Sequence, residues 1–298
     1  YLANNCKGII AFGGGSVMDC SEALGALIAR PKMTLKKMQG LIKIRKKLPT
    51  LIAIPTTAGS GSETTVAAVI VDSMTHHKYV INDFCLIPEY AVMMPSVTIS
   101  LPQHITAITG MDALTHAIEA YIGKSKTKKT KKASEEAVKL ILKNLKIAYD
   151  DGKNLEARKN MLYASYLAGT AFTKSYVGYV HAVAHPLGGK YQVAHGLANA
   201  VLLPHVLREY KSKVSKSLSQ LAKISGLVDD NVSEYEAAEI FILHIENMNT
   251  YMGIHKKLEC IRKSDIPEMA KLADKEANPL YPVPKLMNAK ELEKIYFN

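Results

Sequence analysis

The sequence lacks the features that define several protein classes. It contains no apolar run of about 18 residues, so we expect no membrane span. It has no charged-then-apolar leader, so we expect no secretory signal. The cysteines form no CxxC pair, which predicts free thiols and a cytoplasmic location; they are Cys6, Cys20, Cys85 and Cys260. With 48% hydrophobic and 22% charged residues, the 298-residue chain is neither disordered nor fibrous and has room for about two domains.

Positive charge is in excess, with a formal net charge of +11. Much of it lies in residues 124–132, which hold six lysines, and in residues 32–47. Neither stretch interleaves aromatic residues for base stacking, and neither matches a groove-reading motif. We therefore interpret both as solvated surface and predict no nucleic-acid partner.

The hydrophobic pattern changes near residue 100. Before it, short apolar runs alternate with helical patterns, which predicts a parallel sheet with crossover helices; the runs are 9–12, 51–54, 66–71 and 90–93. After it, almost every stretch has helical periodicity. We expect an α/β domain over residues 1–99, an all-helical domain over residues 100–298, and a ligand site in the cleft between them.

Two turns in the first half are suited to binding an anion. GGGSVMD (13–19) is typical of a strand, a glycine turn and a helix start, with Ser16 as the expected cap and Asp19 in the first turn. Residues 55–65 hold six hydroxyl side chains and two glycines, and Ser60 with Glu63 predicts a capping box. The first turn alone is more often plain structure, since it is neither GxGxxG nor a P-loop. Two such turns after neighbouring strands would border a nucleotide crevice.

Metal-ligating side chains recur at helical spacing in the second half. Asp112 and His116 are four residues apart, as are His181 and His185, and His195 begins another helix. Pro186 is expected to end or kink the helix after His185. A satisfied core histidine is the simpler interpretation of any one residue, but the set predicts a divalent cation, Fe²⁺ or Zn²⁺. Glu119 is left open between a partner of a ligand and an ordinary salt bridge. The other histidines are interpreted as structural or exposed: His76, His77, His104, His205, His244 and His255.

Four motifs together resemble the iron-dependent (group III) alcohol dehydrogenases: GGGSVMD, PTTAGSGSE, GMDALTHAIE and HAVAHPLGGKYQVAHG, in the order of that family. The resemblance implies a Rossmann-like cofactor domain followed by an all-α metal domain, the dehydroquinate synthase-like fold. It implies a metal held by Asp112, His116, His181 and His195, with His185 near the nicotinamide as the proton shuttle. The residues that it implies for NAD or NADP are Gly14, Gly15, Ser16, Asp19, Thr56, Thr57, Ser60 and Lys78.

The implied activity is the interconversion of a small primary alcohol and an aldehyde by hydride transfer, in a homo-oligomer of at least two chains. A polyol dehydrogenase of the same fold is an alternative, and a dehydroquinate-synthase-like enzyme is a weaker one.

A metal-binding remnant with impaired cofactor binding and a structural role is the remaining alternative. Glu22 stands where the family usually has lysine, and Met94-Pro95 where it usually has Asp-Pro. The start at Tyr1 suggests a fragment without the leading strands, which would hold the residue that selects NAD or NADP.

Overall fold

The computed structural model describes residues 1–72 and 78–297, so His76 and His77 lie outside it. Strands occupy the first part of the chain: β1 (Gly8–Gly13), β2 (Gly40–Leu41), β3 (Thr50–Pro55), β4 (Ala67–Val71), β5 (Lys78–Asn82) and β6 (Tyr90–Ala91). Helix α1 (Gly15–Ala29) and the short α2 (Leu35–Met38) lie between them. The four predicted apolar runs coincide with β1, β3, β4 and β6, but the expected alternation with helices holds only after β1, since no α-helix separates β2 to β6 in the described residues.

The first sheet is parallel, in the order β1-β3-β6. Its inner face packs on α1 through Ala11, Ala53 and Met18, which are almost completely buried. The carboxyl ends of β1 and β3 lie side by side, since Gly13 is in register with Pro55. Both polar turns therefore begin at the same edge of the sheet, as expected.

The second sheet departs from the prediction of parallel strands. In the order β2-β5-β4, β5 is parallel to β2 but antiparallel to β4. Only six residues, 72–77, separate β4 from β5. A parallel crossover needs a dozen or more residues, so this connection permits only an antiparallel pair.

In the remainder of the described chain the regular elements are α-helices and short 3₁₀ turns, joined by loops. The helices are α3 (Gln103–Ile122), α4 (Lys128–Asp150), α5 (Leu155–Ser175), α6 (Tyr179–Tyr191), α7 (His195–Tyr210), α8 (Ser212–Ile224), α9 (Glu234–Tyr251), α10 (Ile266–Ala277) and α11 (Ala289–Phe297). Helix α3 is buried on all sides from Gly110 to Ile122 and packs against α4, α5 and α7. None of the helices in residues 1–72 and 78–297 is long and apolar enough to cross a bilayer.

Two local predictions were wrong. Helix α1 begins after Gly14 with no side-chain cap, so Ser16 does not cap it. Ser60 caps no helix: its hydroxyl accepts the Ser62 N–H, and a 3₁₀ turn begins only after Gly61, at φ +60°. Of the two outcomes expected at Pro186, an end is excluded, because α6 continues to Tyr191, where its packing on α7 and α10 offsets the loss of one backbone hydrogen bond. The last helix begins at a reciprocal cap, in which the side chains of Asn288 and Glu291 each accept the backbone N–H of the other.

Candidate metal and cofactor site

Four of the predicted ligands converge on one point. Asp112, His116, His181 and His195 each offer one ligand atom, and these atoms all lie within 4.8 Å of one another. Helix α3 supplies the first two from consecutive turns, while α6 and the first residue of α7 supply the others. The spacing of four residues therefore places Asp112 and His116 on one helix face, as predicted.

A glycine allows α7 to approach α3 at this point. A Cβ at Gly196 would lie 2.3 Å from the carbonyl oxygen of Ile108 and 3.3 Å from Cβ of Asp112. Real Cβ atoms essentially never come this close to a carbonyl oxygen, so only glycine fits at position 196. Because Gly196 has no side chain, the neighbouring His195 can approach Asp112, and Nε2 of His195 lies 3.7 Å from Oδ1 of Asp112.

The histidines of the cluster are held neutral. The ring of His116 stacks between Phe172 and His181, at centroid distances of 4.2 and 4.6 Å. Burial lowers the pKa of His116 and lowers that of His181 further. Burial also lowers the pKa of His195, although this residue forms the exposed rim. Neutral imidazoles present lone pairs to a cation with no proton to displace, which suits metal binding.

Glu119 is the partner of a predicted ligand, which settles the alternative that the sequence left open. Its Oε2 lies 2.6 Å from Nδ1 of His181, and its Oε1 accepts the Val180 N–H at 2.7 Å. Burial raises the pKa of Glu119 to about 7. When the carboxylate accepts a hydrogen from Nδ1, the lone pair of His181 is on Nε2, and Nε2 lies at the cluster, 3.2 Å from Asn199 Nδ2.

Asn199 belongs to the site and was missed by sequence reasoning. Its Nδ2 lies 2.7 Å from Oδ1 of Asp112, and 3.2 and 3.1 Å from Nε2 of His181 and His195. The electron pairs of these three atoms therefore all point toward one positively polarised group, the side-chain NH₂ of Asn199. The same three atoms could face a divalent cation. The signal was available, since Asn199 follows His195 by four residues on α7. This donor set fits the metal that the family resemblance implies.

His185 lies beside the cluster rather than in it. Its ring stacks on His195 at a centroid distance of 5.4 Å, and it is half-exposed. Its Nδ1 lies 2.7 Å from Oε1 of Glu276, on α10, and the same oxygen accepts the Tyr281 hydroxyl at 2.7 Å. Glu276 and Tyr281 come from the end of the chain, and sequence reasoning assigned them no role.

The two polar turns lie against each other. A Cβ at Gly14 would be 3.4 Å from the side chain of Thr57, and one at Gly15 would be 3.3 Å from that of Ser60. The backbone N–H of Thr56 donates to Gly13 at 2.9 Å. The structure therefore brings these predicted cofactor residues together at the edge of the parallel sheet.

The remaining predicted cofactor residues lie at the margins of these turns. Ser16 is exposed at the start of α1. Asp19 accepts a hydrogen bond from the Val69 backbone, and burial raises its pKa to about 7. Lys78 reaches the helical half, because its ammonium would lie 3.4 Å from a Cβ at Gly188 on α6.

The second turn also packs directly on the metal-bearing helix. A Cβ at Gly59 would lie 2.7 to 2.9 Å from Cβ, O and Cα of Thr109. Thr109 precedes Asp112 by about one helical turn. The turn that carries Thr56, Thr57 and Ser60 and the helix that carries Asp112 are therefore in direct contact.

Glu22 does not present a negative charge to this edge of the sheet, as the sequence suggested. It is completely buried, and neither carboxyl oxygen has a hydrogen-bond partner within the described ranges. Burial and the nearby Asp19 raise its pKa well above the usual range, so the side chain is held neutral. The observation that favoured impaired cofactor binding is therefore weakened.

Comparison with known proteins identifies the family. Residues 1–95 match the family "Iron-containing alcohol dehydrogenase", and residues 106–298 match "Fe-containing alcohol dehydrogenase family, C-terminal". The chain is 40% identical to 1,3-propanediol dehydrogenase of Citrobacter freundii, covering 99% of this chain and 76% of that protein. It is 37% identical to the NAD-dependent methanol dehydrogenase of Bacillus methanolicus, covering 92% and 72%. A crystal structure of 1,3-propanediol oxidoreductase superposes with a TM-score of 0.95 at 38% identity, covering 99% of this chain and 78% of that one. The chain belongs to the iron-containing alcohol dehydrogenases, enzymes that interconvert alcohols and aldehydes.

Proposed function

We propose that this chain transfers hydride between NAD and a short primary alcohol or its aldehyde, with Fe²⁺ held by Asp112, His116, His181 and His195. The observation that carries the proposal is the convergence of these four ligand atoms within 4.8 Å. The exposed side of His195 leaves the cluster open on one side, where a substrate oxygen has room to enter. NAD is supported by the NAD-dependent methanol dehydrogenase among the relatives.

The chemistry divides between the bound groups and the protein. Divalent iron would polarise the substrate oxygen, and NAD would exchange the hydride with the substrate carbon. Asp112 supplies the only charged ligand of the proposed set, and the three neutral imidazoles leave a net positive charge for the substrate oxygen. Gly14, Gly15 and Ser16 would hold the pyrophosphate at the start of α1, and Asp19 would hold the position of that helix. Thr56, Thr57 and Ser60 would line the cleft, and Lys78 would reach the ribose.

His185 is the proposed acid–base residue. With Nδ1 held by Glu276, the other nitrogen is free to take the hydroxyl proton during oxidation and to return it during reduction. The half-exposed ring then exchanges that proton with solvent.

The substrate has a second candidate. The resemblance to 1,3-propanediol dehydrogenase favours a diol, so a polyol dehydrogenase remains the alternative.

We further propose the division into residues 1–99 and 100–298, which the change from strands to helices supports. The exposed free thiols of Cys6, Cys20 and Cys260 support a cytoplasmic location. Assembly as a dimer or larger homo-oligomer rests on the family resemblance, and light scattering of the purified chain would test it.

The decisive experiment is a titration of protein purified without air. NADH and NADPH binding are followed by fluorescence, and turnover is then measured with Fe²⁺ or Zn²⁺ and a series of short aldehydes, including 3-hydroxypropanal. We expect NADH binding and metal-dependent turnover, with metal content and activity both lost in Asp112→Ala and His181→Ala. Metal binding without cofactor binding would instead support the structural remnant, and intact metal content and turnover in both variants would overturn the proposal.

A further inference from the structure

We propose that Glu276 is the positioning residue that fixes the tautomer and orientation of His185, and that Tyr281 in turn holds Glu276. The inference rests on the proposed function, because it assigns a task to His185 in the same reaction. It adds two residues from the last quarter of the chain to the site. Neither residue lies in GGGSVMD, PTTAGSGSE, GMDALTHAIE or HAVAHPLGGKYQVAHG, and the sequence predicted no role for either.

The contacts form a chain of three side chains. Nδ1 of His185 is 2.7 Å from Oε1 of Glu276, and the hydroxyl of Tyr281 donates to that oxygen, also at 2.7 Å. Glu276 lies in the last turn of α10, and the Tyr281 N–H returns to the carbonyl of Ala277 at 2.7 Å. Burial raises the pKa of Tyr281 well above its usual range, so its hydroxyl remains a donor. The carboxyl oxygen is therefore held by a residue that follows the end of its own helix by four positions.

The contact determines which nitrogen of His185 carries hydrogen. Oε1 of Glu276 accepts the Tyr281 hydroxyl, and it faces Nδ1 of His185 as an acceptor as well, which places the hydrogen on Nδ1. In the neutral ring the lone pair is then on Nε2, the nitrogen that Glu276 does not hold. Without an acceptor at Nδ1, both tautomers become accessible and the ring is free to rotate. The arrangement thus keeps a proton acceptor ready beside His195 and the cation cluster.

A role in stability accounts poorly for this pair. The side chains of His185 and Glu276 are 43% and 33% exposed, and ion pairs at such positions contribute little to folding. Lys190 and Glu268 form a similar exposed pair between the same two helices, at 2.7 Å. That second pair touches none of the predicted site residues, which makes it a matched control.

The test reads the tautomer directly, by ¹⁵N NMR of histidine-labelled, Zn²⁺-loaded protein, with the His185 signal assigned through His185→Asn. We expect the Nδ1–H tautomer in the wild type and in Glu276→Gln, which keeps an acceptor oxygen. We expect a mixture of tautomers in Glu276→Leu and a smaller change in the same direction in Tyr281→Phe. Glu268→Leu should leave the tautomer unchanged.

Turnover provides the second reading. Glu276→Leu should lower kcat about 10- to 100-fold, less than the roughly 10²- to 10⁴-fold that general acid–base catalysis contributes, because His185 itself remains, while KM for NADH changes less than about threefold. Glu276→Gln should recover most of kcat, and metal content and thermal midpoint should match the wild type in both variants. An Nε2–H tautomer in the wild type, or an unchanged tautomer in both Glu276→Leu and Tyr281→Phe, would overturn the proposal. Since the tautomer is observed without turnover, an inactive wild type would refute the proposed function and leave this test decisive. If Glu276→Leu fails to fold, Tyr281→Phe decides alone.

Discussion

Glu119 offers no ligand atom to the cation cluster, yet its carboxyl oxygen Oε2 lies 2.6 Å from Nδ1 of the proposed ligand His181. Its replacement by alanine leaves that N–H and the backbone N–H of Val180 without an acceptor in a buried place. We expect Glu119→Ala to weaken metal binding about 10- to 100-fold, because His181 is no longer held with Nε2 toward the cluster. Glu119→Gln, which keeps an acceptor oxygen, should lose less. Competition with a chromogenic chelator measures the affinity.

The control for this prediction is Glu259→Ala, since Glu259 is exposed. Equal affinities in Glu119→Ala and the control would show that the contact with Glu119 does not position the proposed ligand.

Glu22 makes the folding stability of the protein depend on pH. Both carboxyl oxygens are buried without a partner in the described chain, and the folded pKa is raised well above the model-peptide value of 4.5. The folded protein therefore keeps a proton that the unfolded chain releases above pH 4.5, so stability falls as pH rises toward the folded pKa. We expect Glu22→Leu to be more stable than the wild type by about 1–3 kcal/mol at pH 8, and by less at pH 5.

Urea unfolding at the two pH values measures this difference, and Glu259→Leu controls for an added apolar side chain. A stability difference that is equal at pH 5 and pH 8 would show that Glu22 is not the group that titrates.

At the scale of the element, the sequence predicted what regular spacing determines. Four-residue spacing placed Asp112 and His116 on one face of α3, and the strand pattern placed both polar turns at one sheet edge. It did not predict contacts between elements distant along the chain. Glu276 reaches His185 across 91 residues, and nothing near Glu276 indicates that partner. The cap predicted at Ser16 failed because a hydroxyl near a helix start fits several backbone turns equally well.

The packing of α7 on α3 gives a prediction for a pair of elements. Gly196→Ala would place a methyl group 2.3 Å from the Ile108 carbonyl oxygen, so α7 must move away from α3 and carry His195 from Asp112. We expect a loss of about 2–4 kcal/mol in the free energy of unfolding, together with weakened metal binding.

Gly189→Ala is the matched control, because it lies within α6 and its added methyl would meet nothing within 4 Å. It should leave metal binding intact and stabilise the protein by about 0.5–1 kcal/mol. Denaturant unfolding and metal titration of both variants measure the two effects. Equal behaviour of the two alanine variants would contradict the close approach of α7 to α3.

At the scale of the whole molecule, the sheet-bearing part and the helical part meet through the second polar turn. Gly59 packs on Thr109 of α3, and the Thr173 hydroxyl of α5 donates to the Thr64 carbonyl at 3.3 Å. The proposed cofactor turn is thus fixed to the helix that carries Asp112 and His116. Periodicity gave no indication of this contact, since it depends on the absence of a side chain at Gly59. The distance from nicotinamide to substrate would then be set by helix packing rather than by a flexible connection.

The four proposed ligands lie on three helices, so a bound cation would join α3, α6 and α7. An ion that binds only the folded chain stabilises it by about 2.7 kcal/mol at a free concentration of roughly 100 times its Kd. For a helical part of this size we expect the thermal midpoint to rise by roughly 5–10 °C with Fe²⁺ or Zn²⁺, and to fall again with a chelator. In the double variant His181→Ala/His195→Ala the midpoint should not respond, because two of the three helices no longer offer a ligand. An equal rise in wild type and double variant would place the bound ion elsewhere, and no rise in either would mean that the cluster holds no cation.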